Sequence, residues 1–203
     1  MEIIALILFV LSTSGTPGPN NIMLLSSGLN FGIKKTVPHM LGINLGFPLM
    51  IVGVGIGLLS LFQALPSLFM AMKLLGGSYL IYLAFKIATT PVTAEAQPQS
   101  HLQAKPLSFI QAAAFQWVNP KAWIMAVSAI VTFSSVESST IDNLTVIALI
   151  YCLFGLPCSF TWMAAGAGLK NILQKPLFIA WFNRVMASLL VVSLIPMFRA
   201  ELI

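Results

Sequence analysis

A chain of 203 residues that is 58% hydrophobic and only 7% charged lacks the residues to build a polar exterior, since soluble domains carry about 25% charged residues. Its net charge of +5 comes from ten Lys and Arg spread singly or in pairs, which excludes the clustered basic face of a nucleic-acid binder. The composition implies an all-α polytopic membrane protein without a water-soluble domain.

A membrane-spanning helix needs about 20 mostly apolar residues, and six stretches qualify. The first, Ile3–Phe31, follows Met1-Glu2 at once. It has no basic n-region or small-residue cleavage site, so it is expected to be retained as a helix. Val37–Phe62 and Leu65–Lys86 follow, with ends marked by Gly32 and Lys34-Lys35 and by Leu65-Pro66-Ser67. Thr89–Pro106, rich in Thr, Gln, Ala and Pro, reads as a linker. Beyond it come Leu107–Ser134, Asn143–Leu169 and Pro176–Phe198.

Lys and Arg are enriched in cytoplasmic loops. With the N-terminus outside, the inner loops hold Lys34, Lys35, Lys86, Lys105, Lys170 and Lys175, against Arg199 alone outside; the loop near Glu137 and Asp142 has no basic residue. The expected topology is therefore N-out and C-out.

The linker divides the chain into a first three-helix repeat (1–90), a cytoplasmic linker (91–106) and a second three-helix repeat (107–203). An odd number of spans per half forces the halves into opposite orientations, the inverted-repeat arrangement of many transporters. Pro66 and Pro176 open the third helix of each half, with Lys73 and Arg184 about two turns on. The clearest correspondence lies in the first helices. One is interrupted by Thr16-Pro17-Gly18-Pro19-Asn20-Asn21, the other by Gln116-Trp117-Val118-Asn119-Pro120-Lys121. Pro removes a backbone donor and clashes with the preceding turn, while Gly permits unusual dihedrals. Each helix is expected to unwind near mid-bilayer and restart.

Irregular backbone at that depth is tolerated only where it is buried in protein or lines a wet cavity. At each restart Thr16 or Asn119 is expected to cap, with Pro in the first helical turn. The N–H groups of the new half-helix, at the positive end of its dipole, then suit a carboxylate. Lys121 adds a full charge, and freed carbonyls with the Asn20 and Asn21 amides suit an ammonium. The pattern points to a zwitterion such as an amino acid. The substrate-binding candidates are accordingly Thr16, Pro17, Gly18, Pro19, Asn20, Asn21, Gln116, Asn119, Pro120 and Lys121.

His39, Lys73 and Arg184 are candidates for gating or coupling, and His101 is expected to be solvated. Gly42-xxx-Gly46, Gly53-xxx-Gly57 and Ala164–Gly168 fit close helix contact. Trp117 and Trp123 flank the second break and suit either a cavity wall or a lipid face. Cys152 and Cys158 read as packing residues without a disulfide framework. All five carboxylates (Glu2, Glu95, Glu137, Asp142, Glu201) sit at ends or in loops. Any proton coupling must then run through a basic group such as Lys121, through His39, or through the substrate. No metal cluster, catalytic triad or phosphate loop is visible, so neither an enzyme nor a cofactor is expected. The expected partners are a small amino acid, membrane lipid and protons, with room for a homo-oligomer.

Thr16-Pro17-Gly18-Pro19-Asn20, Asn119-Pro120-Lys121 and Gly76-Gly77-Ser78-Tyr79-Leu80 with Tyr82-Leu83 resemble the signature of the lysine exporter (LysE) superfamily, although Ala84 stands where Gly is more usual. The segments Leu83–Thr89 and Leu102–Phe109 resemble its RhtB branch of neutral amino-acid exporters. The resemblance implies a secondary transporter of the bacterial inner membrane that moves amino acids outward, driven by the proton gradient. Its implied cargo is cysteine or O-acetylserine, with homoserine and threonine left open. A passive channel or facilitator is the alternative. A membrane redox carrier fits poorly, because the two Pro breaks hold no cysteine.

Overall fold

In lipid, every backbone polar group must find its partner inside the chain, and this sequence meets that demand with helices. The computed structural model describes residues 2–58, 64–90, 105–134, 139–172 and 176–195, and these hold seven α-helices and no strand. They are α1 (Ile3–Gly15), α2 (Pro19–Gly53), α3 (Pro66–Ala88), α4 (Phe109–Phe115), α5 (Pro120–Phe133), α6 (Thr140–Ile172) and α7 (Pro176–Val192). Of the expected linker 91–106, only Lys105 and Pro106 fall within the described residues. His101, Glu137, Lys175 and Arg199 fall outside them, as do the side chains of Lys73 and Lys170.

The 35 residues of α2 are not one rod. Gly32 has φ 77° and ψ 171°, a left-handed backbone that favours glycine. This single residue turns the chain back on itself. Ser27 Oγ therefore lies 3.3 Å from His39 Nδ1 across the hairpin, and Thr36 Oγ1 donates to the Gly32 carbonyl at 2.9 Å just beyond the corner. The expected boundary is corrected here: Lys34 and Lys35 lie in the helix, not in a loop. A glycine corner reverses direction in one residue, so no loop is required. The first expected span is α1 plus α2 up to Phe31, and the second is the rest of α2 with the wider turn Val54–Leu58.

The most extensive helix interface joins α2 to α6. A Cβ on Gly28 would fall on the Met163 carbonyl, and one on Gly166 on the Leu25 carbonyl, so bare backbone faces backbone. Gly42 and Gly46 similarly admit α4 at Phe109 and Ala113. Gly53 meets the Trp117 ring, but Gly57 and Gly168 meet nothing within 4 Å. Close contact thus holds for only part of the expected glycine pattern. Helix α3 packs on α7.

Two apolar clusters result, one around Met40, Leu80, Phe115 and Leu190 and one around Leu6, Met50, Ala126 and Ile147. Outward-facing apolar side chains are abundant: Ile4, Ile110 and Val131 are 77%, 76% and 75% exposed. Water would penalise such a surface and lipid would not.

Candidate functional site

Both expected breaks are present. Helix α1 ends at Gly15, and Thr16 turns extended, with φ −71° and ψ 149°. Thr16 Oγ1 donates back to the Thr13 carbonyl at 2.9 Å. Thr16 therefore closes the first half-helix and does not cap the second, contrary to the sequence expectation. The capping position belongs to Gly18, which has no side chain to bond with, and Pro19 opens α2. At the second break a 3-10 turn, Gln116–Val118, leads to extended Asn119. Asn119 Oδ1 accepts from the Lys121 N–H at 3.2 Å, the cap the sequence predicts, and Pro120 opens α5. Trp123 Nε1 donates to the Trp117 carbonyl at 2.8 Å and staples this break from its flank.

The two breaks lie side by side. Asn20 Nδ2 donates to Gln116 Oε1 at 2.8 Å, and Gln116 Nε2 donates to Asn20 Oδ1 at 3.2 Å and to the Ala112 carbonyl at 2.8 Å. Lys121 Nζ crosses to the other break, donating to the Thr16 carbonyl at 2.7 Å, Thr16 Oγ1 at 2.8 Å and the Pro17 carbonyl at 3.3 Å. These carbonyls sit at the C-terminal end of α1, where a helix leaves acceptors unsatisfied and favours a cation. Gly18 makes this crossing possible, because a Cβ there would lie 2.5 Å from Lys121 Cδ.

Two expectations change as a result. The Lys121 ammonium is not a free charge, since carbonyls of the opposite break hold it. Nor is the Asn20 amide an open acceptor, because it is paired with Gln116. Asn21 Nδ2 donates to the Ser14 and Thr16 carbonyls at 2.7 and 2.8 Å. The polar side chains of the breaks mostly hold the breaks open.

Beside them lies an open cavity. First-turn residues of both restarted helices line it, Asn20 and Asn21 on one side and Lys121 and Ala122 on the other. First-turn N–H groups have no acceptor within their own helix. Facing them are Ser14, Asn44, Tyr151, Gly155 and Ser159. Asn44 Nδ2 is committed to the Met40 carbonyl at 2.9 Å. Its Oδ1 lies 3.3 Å from where a Gly155 Cβ would stand. Tyr151 packs edge-on against Phe47, with ring centroids 4.8 Å apart, and its hydroxyl is 3.4 Å from Thr13 Oγ1. The lining thus combines helix-start N–H groups with side-chain oxygens. The sequence reading did not single out Asn44, Tyr151, Gly155 or Ser159; a lone amide inside an otherwise apolar span was the available signal for Asn44.

The other candidates are dispersed. His39 is buried at 1% exposure, across the Gly32 corner from Ser27. Arg184 is exposed on α7, while its neighbour Asn183 forms a reciprocal amide pair with Asn30 at 2.8 and 3.0 Å. Cys152 and Cys158 are free thiols on α6. Among the described residues no three His, Cys, Asp or Glu side chains gather to hold a metal.

Apolar helices around a cavity at two adjoining helix breaks fit an all-α membrane protein. The model of the LysE type translocator family matches residues 11–198, and the chain belongs to that family. It is 31% identical over 191 residues, 94% of each chain, to the cysteine/O-acetylserine efflux proteins of Escherichia coli (strain K12) and Shigella sonnei (strain Ss046). It is 30% identical over the same length to that of Escherichia coli O139:H28 (strain E24377A / ETEC). No solved structure matches it.

Proposed function

We propose that this chain is a secondary active exporter of small neutral amino acids or their derivatives, of the cysteine and O-acetylserine type, driven by the proton gradient. The observation that carries the reading is the cavity at the breaks, lined by the helix-start residues Asn20, Asn21 and Lys121 together with Asn44, Ser14 and Ser159. A zwitterion needs both kinds of group. Its carboxylate meets the first-turn N–H groups, and its ammonium meets the side-chain oxygens. The efflux relatives support the cargo class.

The reading includes six spans in two inverted halves, 1–90 and 107–203. Its support is that each broken helix restarts at a proline and that the two cross at their breaks. Phe9 meets Phe133, with centroids 5.4 Å apart, beyond one end of the crossing. Lys34, Lys35, Lys86 and Lys105 gather near the Gly32 corner, which favours that end as cytoplasmic, with both termini outside the inner membrane. Lys121, His39 or the substrate carries the coupled proton, with Lys73 and Arg184 as gating candidates.

The test is uptake of labelled O-acetylserine, cysteine, homoserine and threonine into inside-out vesicles, with and without an imposed proton gradient. Saturable, gradient-dependent uptake of at least one is expected. Uptake indifferent to the gradient would mean a facilitator, and no uptake of any of the four would remove the proposed cargo class.

Cavity size sets a second expectation. In Gly155→Ala the new methyl would stand 3.3 Å from Asn44 Oδ1 and 4.0 Å from Ser14 Oγ. Export KM for O-acetylserine should rise about tenfold, the equivalent of about 1.4 kcal/mol, at unchanged membrane abundance. An unchanged KM would place the substrate elsewhere.

A further inference from the structure

A second cavity lies between α2, α3 and the segment that leads into α4. Ser26, Ser27, His39, Thr90, Lys86 and Lys105 supply its polar lining. His39 is buried, and its Nε2 has no hydrogen-bond partner, although Nδ1 is 3.3 Å from Ser27 Oγ. A buried polar atom without a partner marks a place where something else completes the bonding. Among the described residues no carboxylate lines the cavity. The acidic residues among those described, Glu2 and Asp142, stand at the N-terminal ends of α1 and α6. Lys86 Nζ rests 5.7 Å from the Tyr82 ring centroid. Two lysines, hydroxyls and an unsatisfied imidazole suit a small anion, and Met23, Leu83 and Leu107 offer apolar wall for a short side chain.

We propose that this cavity is a loading site that holds the amino acid by its carboxylate before it passes the Asn20–Gln116 pair. The proposal rests on the exporter reading and adds a second binding site to it. The same anion chemistry would suit the phosphate of an acidic lipid, and the experiment separates the two sources.

Thr90→Cys, made in a Cys152→Ser, Cys158→Ser background, puts a reporter thiol on the cavity wall. Its maleimide labelling is timed in inside-out vesicles with and without O-acetylserine. Labelling should slow about fourfold at a concentration about three times the apparent Kd. The slowing should persist in Lys121→Met, whose transport is disabled at the breaks, and vanish in Lys86→Gln, Lys105→Gln. Absence of slowing, or its loss in Lys121→Met, would overturn the loading site. A labelling rate that follows the acidic-lipid fraction and ignores the amino acid would also overturn it, assigning the cavity to a headgroup. Normal export without protection removes the loading site and leaves the exporter reading standing; protection without export in the parent protein removes the exporter reading and with it the loading role, leaving a binding site only.

Discussion

Replacing Lys121 with Met should reduce export at least about 100-fold while leaving the protein in the membrane. The substitution keeps most of the apolar stem that lies across Gly18 and removes only the ammonium. Three acceptors then lose their donor: the Thr16 carbonyl, Thr16 Oγ1 and the Pro17 carbonyl, at 2.7, 2.8 and 3.3 Å. These acceptors are exposed, so the loss falls on the transport step, where about 2.7 kcal/mol corresponds to a factor of 100. The first break then loses its charged tie to the second and is left with the Asn20–Gln116 pair, so the spacing of the two helix starts is no longer fixed. Lys121→Ala should behave alike, with added loss of packing. The check is initial uptake rate in inside-out vesicles, normalised to the amount of chain in the membrane. Export by Lys121→Met at the parent rate would show that the crossing is not needed.

Gly28→Val should remove the folded protein altogether. The new Cβ would coincide with the Met163 carbonyl and stand 3.0 Å from the Ala167 nitrogen. Both are backbone atoms, so no rotamer change makes room, and α2 must move away from α6 along their most extensive interface. Overpacking of ordinary cores costs about 1–3 kcal/mol; parting two helices along such an interface should exceed that. Gly168→Val is the matched control, since nothing lies within 4 Å of its Cβ position. Size-exclusion profiles of fluorescently tagged chains in mild detergent should show a monodisperse peak for the control and none for Gly28→Val. A normal peak for both would mean that α2 and α6 have slack along this contact.

These two residues show how unevenly the chain is legible. Lys121 stood out in the sequence because a charge in the middle of an apolar run costs about 2.5–3.5 kcal/mol on insertion scales, which demands an explanation. Its partner was not legible. An isolated lysine beside a proline break reads as a ligand for a substrate anion, whereas the structure finds its ammonium on the carbonyls of a break 105 residues earlier in the chain. Thr16 was misjudged for a related reason. A hydroxyl two residues before Gly-Pro suits either a C-terminal closure or an N-terminal cap, and only the direction of its bond to Thr13 separates them. Glycines were harder still, because Gly166 and Gly168 share one small-residue run yet only the first faces another backbone.

By itself the sequence determined the solvent and the secondary structure. With 58% hydrophobic and 7% charged residues, no water-facing surface is available, and an apolar solvent leaves the backbone little choice but helix. It also determined where those helices break, since proline acts through its own ring on its own neighbours. Such effects are local and need no partner. Tertiary structure decided what the broken segments face. The Asn20–Gln116 pair, the hold of Lys121 on Thr16, and the meeting of Asn44 with Gly155 join residues 96, 105 and 111 positions apart. Such pairings depend on which helix faces fit together, and that fit depends on backbone approach at a few glycines, a property of two surfaces that no single stretch of sequence contains.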